Sequence, residues 1–294
     1  MIAFASFEGF AGCVTSARHA AAVLGGSAHA LAPGEPAPEC DLLVLSSWHD
    51  SYEPLLGTVP RIVARWHSPL LQTELSADQW KLDRLLDLRA TGLIAAIACD
   101  DAGAAHALNA VHLPNVLSEP PPVAPLALGG VNVTLLGEPY PRKNVLSQAA
   151  AFARAAGPDW TLHLAGHERH HAWLDRLGIA WGDHGRLAHG DVLALIAGCD
   201  AGLAATVSES YGYLAAEHLQ LGTPVVTSAA VKCADAGDLC VADPGDVDAL
   251  AAALRRAIGA DLTAPRESLH ERAAANARIA RAALGQLATV GTDP

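Results

Sequence analysis

Two stretches of the chain carry residues whose types and spacing could do chemistry. Residues 207–228 read VSESYGYLAAEHLQLGTPVVTS, with Glu209 and Glu217 flanking Gly212 and GTPVV following. Read as a loop that enters a helix, Glu209 lies on the loop, Gly212 opens the helix, and Glu217 falls about a turn and a half into it. The N–H groups at Gly212 and Tyr213 then sit at a helix N-terminus, which favours an anion, and a glycine lets a phosphate approach closely. A carboxylate on each side of that anion can accept hydrogen bonds from sugar hydroxyls. The second stretch, His167-Glu168-Arg169-His170-His171, satisfies H-E-x-x-H. On a helix, that spacing puts two zinc-binding histidines one turn apart with a glutamate to activate water. Its flank argues otherwise: TLHLAG immediately before it reads as a strand closed by Gly166, which predicts a turn. A zinc hydrolase at His167 and His171 is therefore the remote alternative, and a histidine-rich turn the expected one.

The elements that must position these residues follow from the apolar pattern. Short apolar runs at 2–6, 42–46, 61–66, 93–98, 131–137, 161–166, 202–205, 224–228 and 239–242 alternate with Ala/Leu-rich stretches at 14–24, 76–88, 145–156, 192–197 and 213–221. Continuous apolar strands, each followed by a helix, predict parallel sheets covered on both faces. Residues 118–130, SEPPPVAPLALGG, are too rich in proline for a helix or a central strand, and the alternation restarts after them. A last helical stretch, about 266–287, sets Leu269, Ala273, Ala277, Ala280, Leu284 and Leu287 on one stripe.

Composition excludes several classes. Of 294 residues, 51% are apolar and 17% charged, enough for full cores; the net charge of −12 argues against broad nucleic-acid binding. No window approaches the ~20 apolar residues of a membrane span. The opening MIAFASFEGF reads as a first strand rather than a leader, so cytoplasm is the expected compartment. Six cysteines without a CxxC pair are expected to be reduced and mostly buried. There is neither GxSxG nor GxxxxGK[ST], and Asp100 or Asp101 after the strand GLIAAIA is expected to cap a helix.

The 207–228 stretch resembles the E-x7-E signature of retaining GT-B glycosyltransferases of the family 4 type, written S-x-x-E-G-(aromatic)-G…E-A-x-x-x-G-x-P-V-V. Glu209, Tyr211, Gly212, Glu217, Gly222, Pro224, Val225 and Val226 stand in those places, while Ser210 replaces the first glycine and His218 a small residue. Residues 133–144, VTLLGEPYPRKN, resemble the family's strand followed by G-R-x-x-x-x-K-G. Gly137 and Lys143 match, Glu138 stands at the arginine and Asn144 at the last glycine. Arg142 is then the candidate second cation for the diphosphate. Residues 60–69, PRIVARWHSP, resemble a strand that delivers a cleft histidine, His67; Gly9 and Gly12 resemble the glycine-bearing first loop. HLPN at 112–115 and the stretch 243–254 resemble the segment before the linker and the late P-x-D-x-x-x-L-A region.

The resemblance implies an α/β chain of the GT-B class, two Rossmann-like domains facing across a cleft. Residues 1–120 would be the acceptor-side domain, trimmed relative to the family; 121–130 the linker; 131–262 the nucleotide-sugar domain; 263–294 a C-terminal helix and tail. It implies an EC 2.4 glycosyltransferase that moves a sugar from a nucleotide-sugar donor to an acceptor hydroxyl with retention. His67, Lys143 and Glu209 would be catalytic; Gly9, Gly12, Arg142, Lys143, Glu209, Tyr211, Gly212, Tyr213 and Glu217 would bind the donor. Glu209 would meet the donor sugar, Glu217 the ribose, and Lys143 the diphosphate, with no metal or cofactor required. The alternatives are an epimerase or hydrolase of nucleotide sugars with the same fold, and a nucleotide-sugar-binding protein with weakened catalysis. No exposed apolar face for membrane lipids is evident in the sequence, so a soluble acceptor is expected.

Overall fold

The computed structural model of the chain describes residues 1–137 and 139–289, which form two compact units. One is Met1–Ser118 together with the described residues from Ala273 onward; the other is Glu119–Arg272.

The first unit runs β1 (Ile2–Phe7), α1 (Ala11–Leu24), β2 (Ser27–Leu31), β3 (Leu42–Ser46), β4 (Ile62–Trp66), α2 (Leu70–Leu75), α3 (Gln79–Ala90), β5 (Ala96–Cys99), α4 (Ala102–Ala107) and β6 (Val111–His112). Its six strands are all parallel in the order β2-β1-β3-β4-β5-β6. Side chains alternate across a strand. Leu43 and Leu45 accordingly join Ile62, Ala64, Ile97 and Trp48 in one core layer. Leu42, Val44, Phe4 and Val63 join a second layer on the opposite face. Burial on both faces is what made these strands read as unbroken apolar runs. Asp101 caps α4, its side chain accepting from the Ala104 N–H at 2.9 Å.

The second unit contains β7 (Val131–Leu135), α5 (Val145–Ala155), β8 (Trp160–Leu164), α6 (His171–Leu177), β9 (Trp181–Asp183), α7 (His189–Ala197), β10 (Ala201–Ala204), α8 (Tyr213–Leu221), β11 (Val225–Ser228), β12 (Cys240–Val241) and α9 (Val247–Ala257). These strands are also parallel, in the order β12-β11-β10-β7-β8-β9. Here the two faces differ. Val133, Leu135, Leu162, Leu164, Leu203 and Val226 pack with α5 and α9 in an apolar layer. On the other face the buried side chains include Asn132, Thr134 and His163, held by hydrogen bonds: His163 to Asn132 Oδ1 at 3.0 Å, and Thr134 to His218 at 2.7 Å. The linker has no regular structure and lies in this unit, its Leu126 N–H donating to Ala194 O at 2.9 Å.

The last helix, α10 (Thr263–Thr289), is divided between the units. Leu269 is buried on the Glu119–Arg272 side; Ala277, Ala280, Ala283, Leu284 and Leu287 complete the second core layer of the first unit. The predicted stripe is thus buried except for Ala273, which is half-buried.

Leu70, Leu71, Leu75 and Trp80 are each about half exposed along α2 and the start of α3. In the short helix α2, Thr73 turns inward, which leaves the leucines on the outward side. Among the described residues, no helix is long and apolar enough to cross a membrane.

Candidate functional site

In an open parallel sheet the strand order reverses at one point, and the loops leaving the strands there part to leave a crevice. In the second unit that point lies between β7 and β10, because β8 and β9 follow on one side of β7 while β10, β11 and β12 follow on the other. The loops that leave β7 and β10 carry Arg142, Lys143 and Glu209. One strand order therefore brings together two motifs that lie about sixty residues apart.

The β7 loop ends in a single 3-10 turn, Pro141–Lys143, followed by Asn144 in the left-handed region (φ 56°) and then α5. Buried Gln148, in the first turn of α5, ties this loop to the other. Its Nε2 donates to Lys143 O at 2.7 Å, and its Oε1 accepts from the Ala205 N–H at 2.8 Å. The Val207 N–H donates to Arg142 O at 2.8 Å, closing the contact between loops. Lys143 Nζ pairs directly with Glu209 Oε2, and Arg142 lies 3.5 Å from the same oxygen. Burial works against the charge of Glu209, yet Lys143 and Arg142 beside it hold its carboxyl below the usual carboxylate range. Arg142 therefore turns toward the site, where it also donates to Ser208 O at 3.3 Å. Glu138, the residue at the family's arginine place, lies outside the described residues.

Gly212 precedes α8 in the left-handed region (φ 95°, ψ 51°). A Cβ there would meet Val231 Cγ1 at 2.6 Å, so both backbone and packing demand glycine. Lys143, Glu209, Gly212 and Thr206 line one hollow with Leu136 and Leu214. Among the described residues the buried Thr206 hydroxyl has no hydrogen-bond partner, and so it offers a ready polar contact there. Glu217 lies further along α8, buried, with Oε1 2.8 Å from Nε2 of His189, the first residue of α7. Tyr213 is ring-to-ring with Tyr211 at 4.9 Å. Tyr211 itself is buried, and burial raises its hydroxyl well above the ordinary phenol range.

His218 is also settled by a neighbour. It is fully buried under the sheet, its Nδ1 bonded to Leu214 O at 2.7 Å, which leaves Nε2 to accept from the Thr134 hydroxyl. Burial pushes its pKa down to about 4. The space it fills is opened by Gly202 in β10, where a Cβ would come within 2.3 Å of His218 Nε2.

The H-E-x-x-H stretch does not form a helical metal face. His167 precedes a 3-10 turn, Glu168–His170, and only His171 begins α6. His171 Nε2 is 2.8 Å from Asp183 Oδ2, and Asp183 also accepts from the N–H groups of Gly166, His167 and Gly185. Among the described residues no three His, Cys, Asp or Glu side chains stand together as a metal site. Burial opposes the Asp183 charge, but His171 and the three N–H donors hold its pKa at about 2. Because the folded pKa is depressed from 3.8, its stabilisation is present above about pH 4 and is lost as pH falls toward 2. Asp183→Asn is expected to cost about 2 kcal/mol at pH 6 and much less at pH 2.5, read by urea unfolding at both. An equal cost at the two pH values would contradict this.

His67, Gly9 and Gly12 lie in the first unit, at the edge where its strands end. Gly9 is in the turn after β1, and Gly12 is inside the first turn of α1. His67 follows β4, nearly buried, with Nδ1 3.9 Å from Asp100 Oδ2. Burial, and then the Arg65 charge, push its pKa well below the ordinary value, so its ring is neutral. Arg65 is itself buried and donates to Ser16 Oγ, Leu113 O and Asn115 Oδ1, while Asn115 donates to Asp100 at 2.7 Å.

Sequence reasoning missed Gln148, His189 and Thr206. Gln148 was visible as the lone amide in the buried stripe of α5; His189 gave no local signal, because its partner lies on another helix.

Comparison with known proteins follows the same lines. Residues 130–260 match the family model described as glycosyl transferases group 1. Among solved structures, Anabaena HepE in complex with UDP and glucose is 15% identical, covering 98% of this chain and 99% of that one, with a TM-score of 0.68. An α,α-trehalose-phosphate synthase (UDP-forming) from Burkholderia vietnamiensis is 13% identical over 85% and 75% of the two chains, TM-score 0.58. An S. aureus TarM mutant in complex with fondaparinux, α-GlcNAc-glycerol and UDP is 10% identical over 84% and 55%, TM-score 0.61. A comparison with curated proteins finds no match. The chain has the GT-B class of fold, two Rossmann-like domains, and the match to glycosyl transferases group 1 spans the second of them.

Proposed function

We propose that the chain is a retaining glycosyltransferase that takes a UDP-sugar donor and transfers its sugar to an acceptor hydroxyl without a metal. The observation that carries this reading is the pairing of Lys143 and Arg142 with Glu209 at the strand-order reversal of the glycosyltransferase group 1 domain, beside the Gly212 entry to α8. Two cations within reach of one carboxylate make a site already organised for a diphosphate, which supplies the negative charge in its turn. Glu209 is then released to accept hydrogen bonds from the donor sugar. As the glycosidic bond breaks, charge develops on the leaving diphosphate; Lys143, Arg142 and the first N–H groups of α8 stabilise it without reorganising. That phosphate oxygen can take the acceptor's proton on the same face, which gives retention. Glu217 binds the ribose hydroxyls, with His189 holding its carboxylate in place. The parts proposed for His67, Gly9 and Gly12 rest on the sequence resemblance. UDP is the favoured nucleotide because structures of the same fold, at 10–15% identity, hold it.

The test is thermal stabilisation by UDP, GDP, ADP and dTDP, beside a Glu217→Ala variant. UDP at 100 times its Kd should add about 2.7 kcal/mol, a shift of several degrees that the variant loses at the same concentration. Stabilisation by none of the four nucleotides would sink the reading. The anomeric configuration of the first product formed, followed by NMR, decides between retention and inversion. Release of free sugar from the donor with no transfer would favour the hydrolase alternative.

A further inference from the structure

Thr206 stands two residues past β10, where that strand gives way to the loop that carries Glu209. The backbone around it is tied on several sides. The Ala205 N–H donates to Gln148 Oε1 at 2.8 Å, the Thr206 N–H to Ala204 O at 3.0 Å, and the Val207 N–H to Arg142 O at 2.8 Å. Thr206 O in turn accepts from the Ser228 hydroxyl. The residue is 5% exposed, yet its own hydroxyl meets no partner among the described residues. Nearby buried hydroxyls of the same unit each have one: Thr134 bonds His218 at 2.7 Å, Thr223 donates to Ile196 O at 2.9 Å, and Ser228 donates to Thr206 O.

A buried hydroxyl without a partner costs free energy that valine, of nearly the same shape, would not. Local folding gives no return for that cost, because the bonds that hold this loop are made by its backbone. The side chain lies instead in the wall of the hollow that Lys143, Glu209 and Gly212 also line. Lys143 and Arg142 against the one carboxylate of Glu209 leave a net positive charge there. Gly212 adds the N-terminus of α8, a helix of nine residues, so an oxyanion is the ligand atom the hollow favours. A threonine O–H donates well to such an atom. Since no bond inside the protein holds this one, it turns to a ligand without losing any.

We propose that Thr206 is a donor-binding residue whose hydroxyl hydrogen-bonds an oxygen of the donor's diphosphate, and that the same hydroxyl lowers the stability of the ligand-free chain. The name of the ligand rests on the glycosyltransferase reading, while the unmet hydroxyl stands apart from it. The two effects have opposite signs, which a purely structural threonine would not produce.

The experiment sets Thr206→Val and Thr206→Ser beside Thr223→Val, whose hydroxyl has a partner. Without ligand, Thr206→Val should melt about 2–4 °C above the parent, the relief of one unmet polar group, whereas Thr223→Val should melt below it. With UDP the order reverses. Calorimetry should show Thr206→Val binding UDP about tenfold more weakly, as one hydrogen bond to a charged group predicts, and UDP-glucose more weakly by the same factor. Thr206→Ser keeps the O–H and loses a buried methyl, so it should melt lower yet bind UDP within about threefold of the parent. A Thr206→Val chain that melts below the parent would overturn the proposal, because the hydroxyl would then be satisfied in the free protein. Unchanged affinity for UDP would overturn it too, as would a loss confined to UDP-glucose, which would place the hydroxyl on the sugar. Inorganic pyrophosphate, titrated in parallel, separates this outcome from that of the donor reading. If the parent binds pyrophosphate but no nucleotide, and Thr206→Val weakens pyrophosphate, Thr206 keeps its role and the nucleotide-sugar reading fails. Binding of neither probe by the parent would overturn both.

Discussion

Lys143→Ala is expected to lower kcat/KM for glycosyl transfer by about 10²–10³, the loss typical of removing one donor aimed at a developing oxyanion. The chain should otherwise keep its fold, because Lys143 ends a surface-loop turn and its backbone contacts to Gln148 do not need the side chain. Most of the loss should fall on kcat. On the proposed reading the ground-state diphosphate would still meet Arg142 and the N-terminus of α8, whereas charge on the leaving oxygen would grow in the transition state. Arg142→Ala should cost less, since the guanidinium is further from Glu209 and shares its donors with Ser208 O. Single-turnover rates with a saturating donor separate the two effects. A Lys143→Ala enzyme within threefold of the parent would mean that the pair with Glu209 is structural only.

The second large effect is on stability. Gly202→Ala is expected to cost about 3 kcal/mol, because its Cβ would strike His218 and Thr134 at once and break the buried hydrogen bond between them. For a unit of this size that is a drop of roughly 6–12 °C in Tm. His218→Ala in the Gly202→Ala background should recover much of the loss, since the alanine vacates the space that the new methyl needs. Two independent losses that simply add would contradict the packing described. The same histidine has a pH signature. Its folded pKa is depressed to about 4, below its ordinary 6.5, so its contribution is complete above pH 6.5 and is lost as pH falls toward 4. The His218→Ala variant should lack that part of the slope in stability between pH 6.5 and 4, which paired urea titrations at the two ends would show.

Much of this molecule was legible in its sequence. The central strands were read because burial on both faces leaves an uninterrupted apolar run, as in Leu42–Ser46 and Val225–Ser228. Three of the four edge strands escaped for the opposite reason: Ser27–Leu31 alternates half-buried and exposed residues, and Val111–His112 and Trp181–Asp183 are too short to show a period. The polar face of the second sheet was invisible because VNVTL and WTLHL hide buried Asn132, Thr134 and His163 among apolar neighbours. At the site, the glycine and the two glutamates could be placed on a loop and a helix from their order alone. That Glu209 meets Lys143, and Glu217 meets His189, depends on which strands are neighbours in the sheet, and this is a property of topology that no local pattern carries. The exposed leucines of α2 were missed because six residues are too few to reveal which side of a helix faces in.

The division of α10 between the units bears on the order in which the chain can reach its folded state. Residues 119–272 are one unbroken segment, so during synthesis that unit has everything it needs once Arg272 has left the ribosome. Residues 1–118 emerge first yet finish last: one layer of their core waits for Ala277, Ala280, Ala283, Leu284 and Leu287. Until those residues arrive, Phe4, Val44 and Val63 face an unfilled surface on a nascent chain. A fragment ending at Ser118 would lack that layer and leave the same seam exposed.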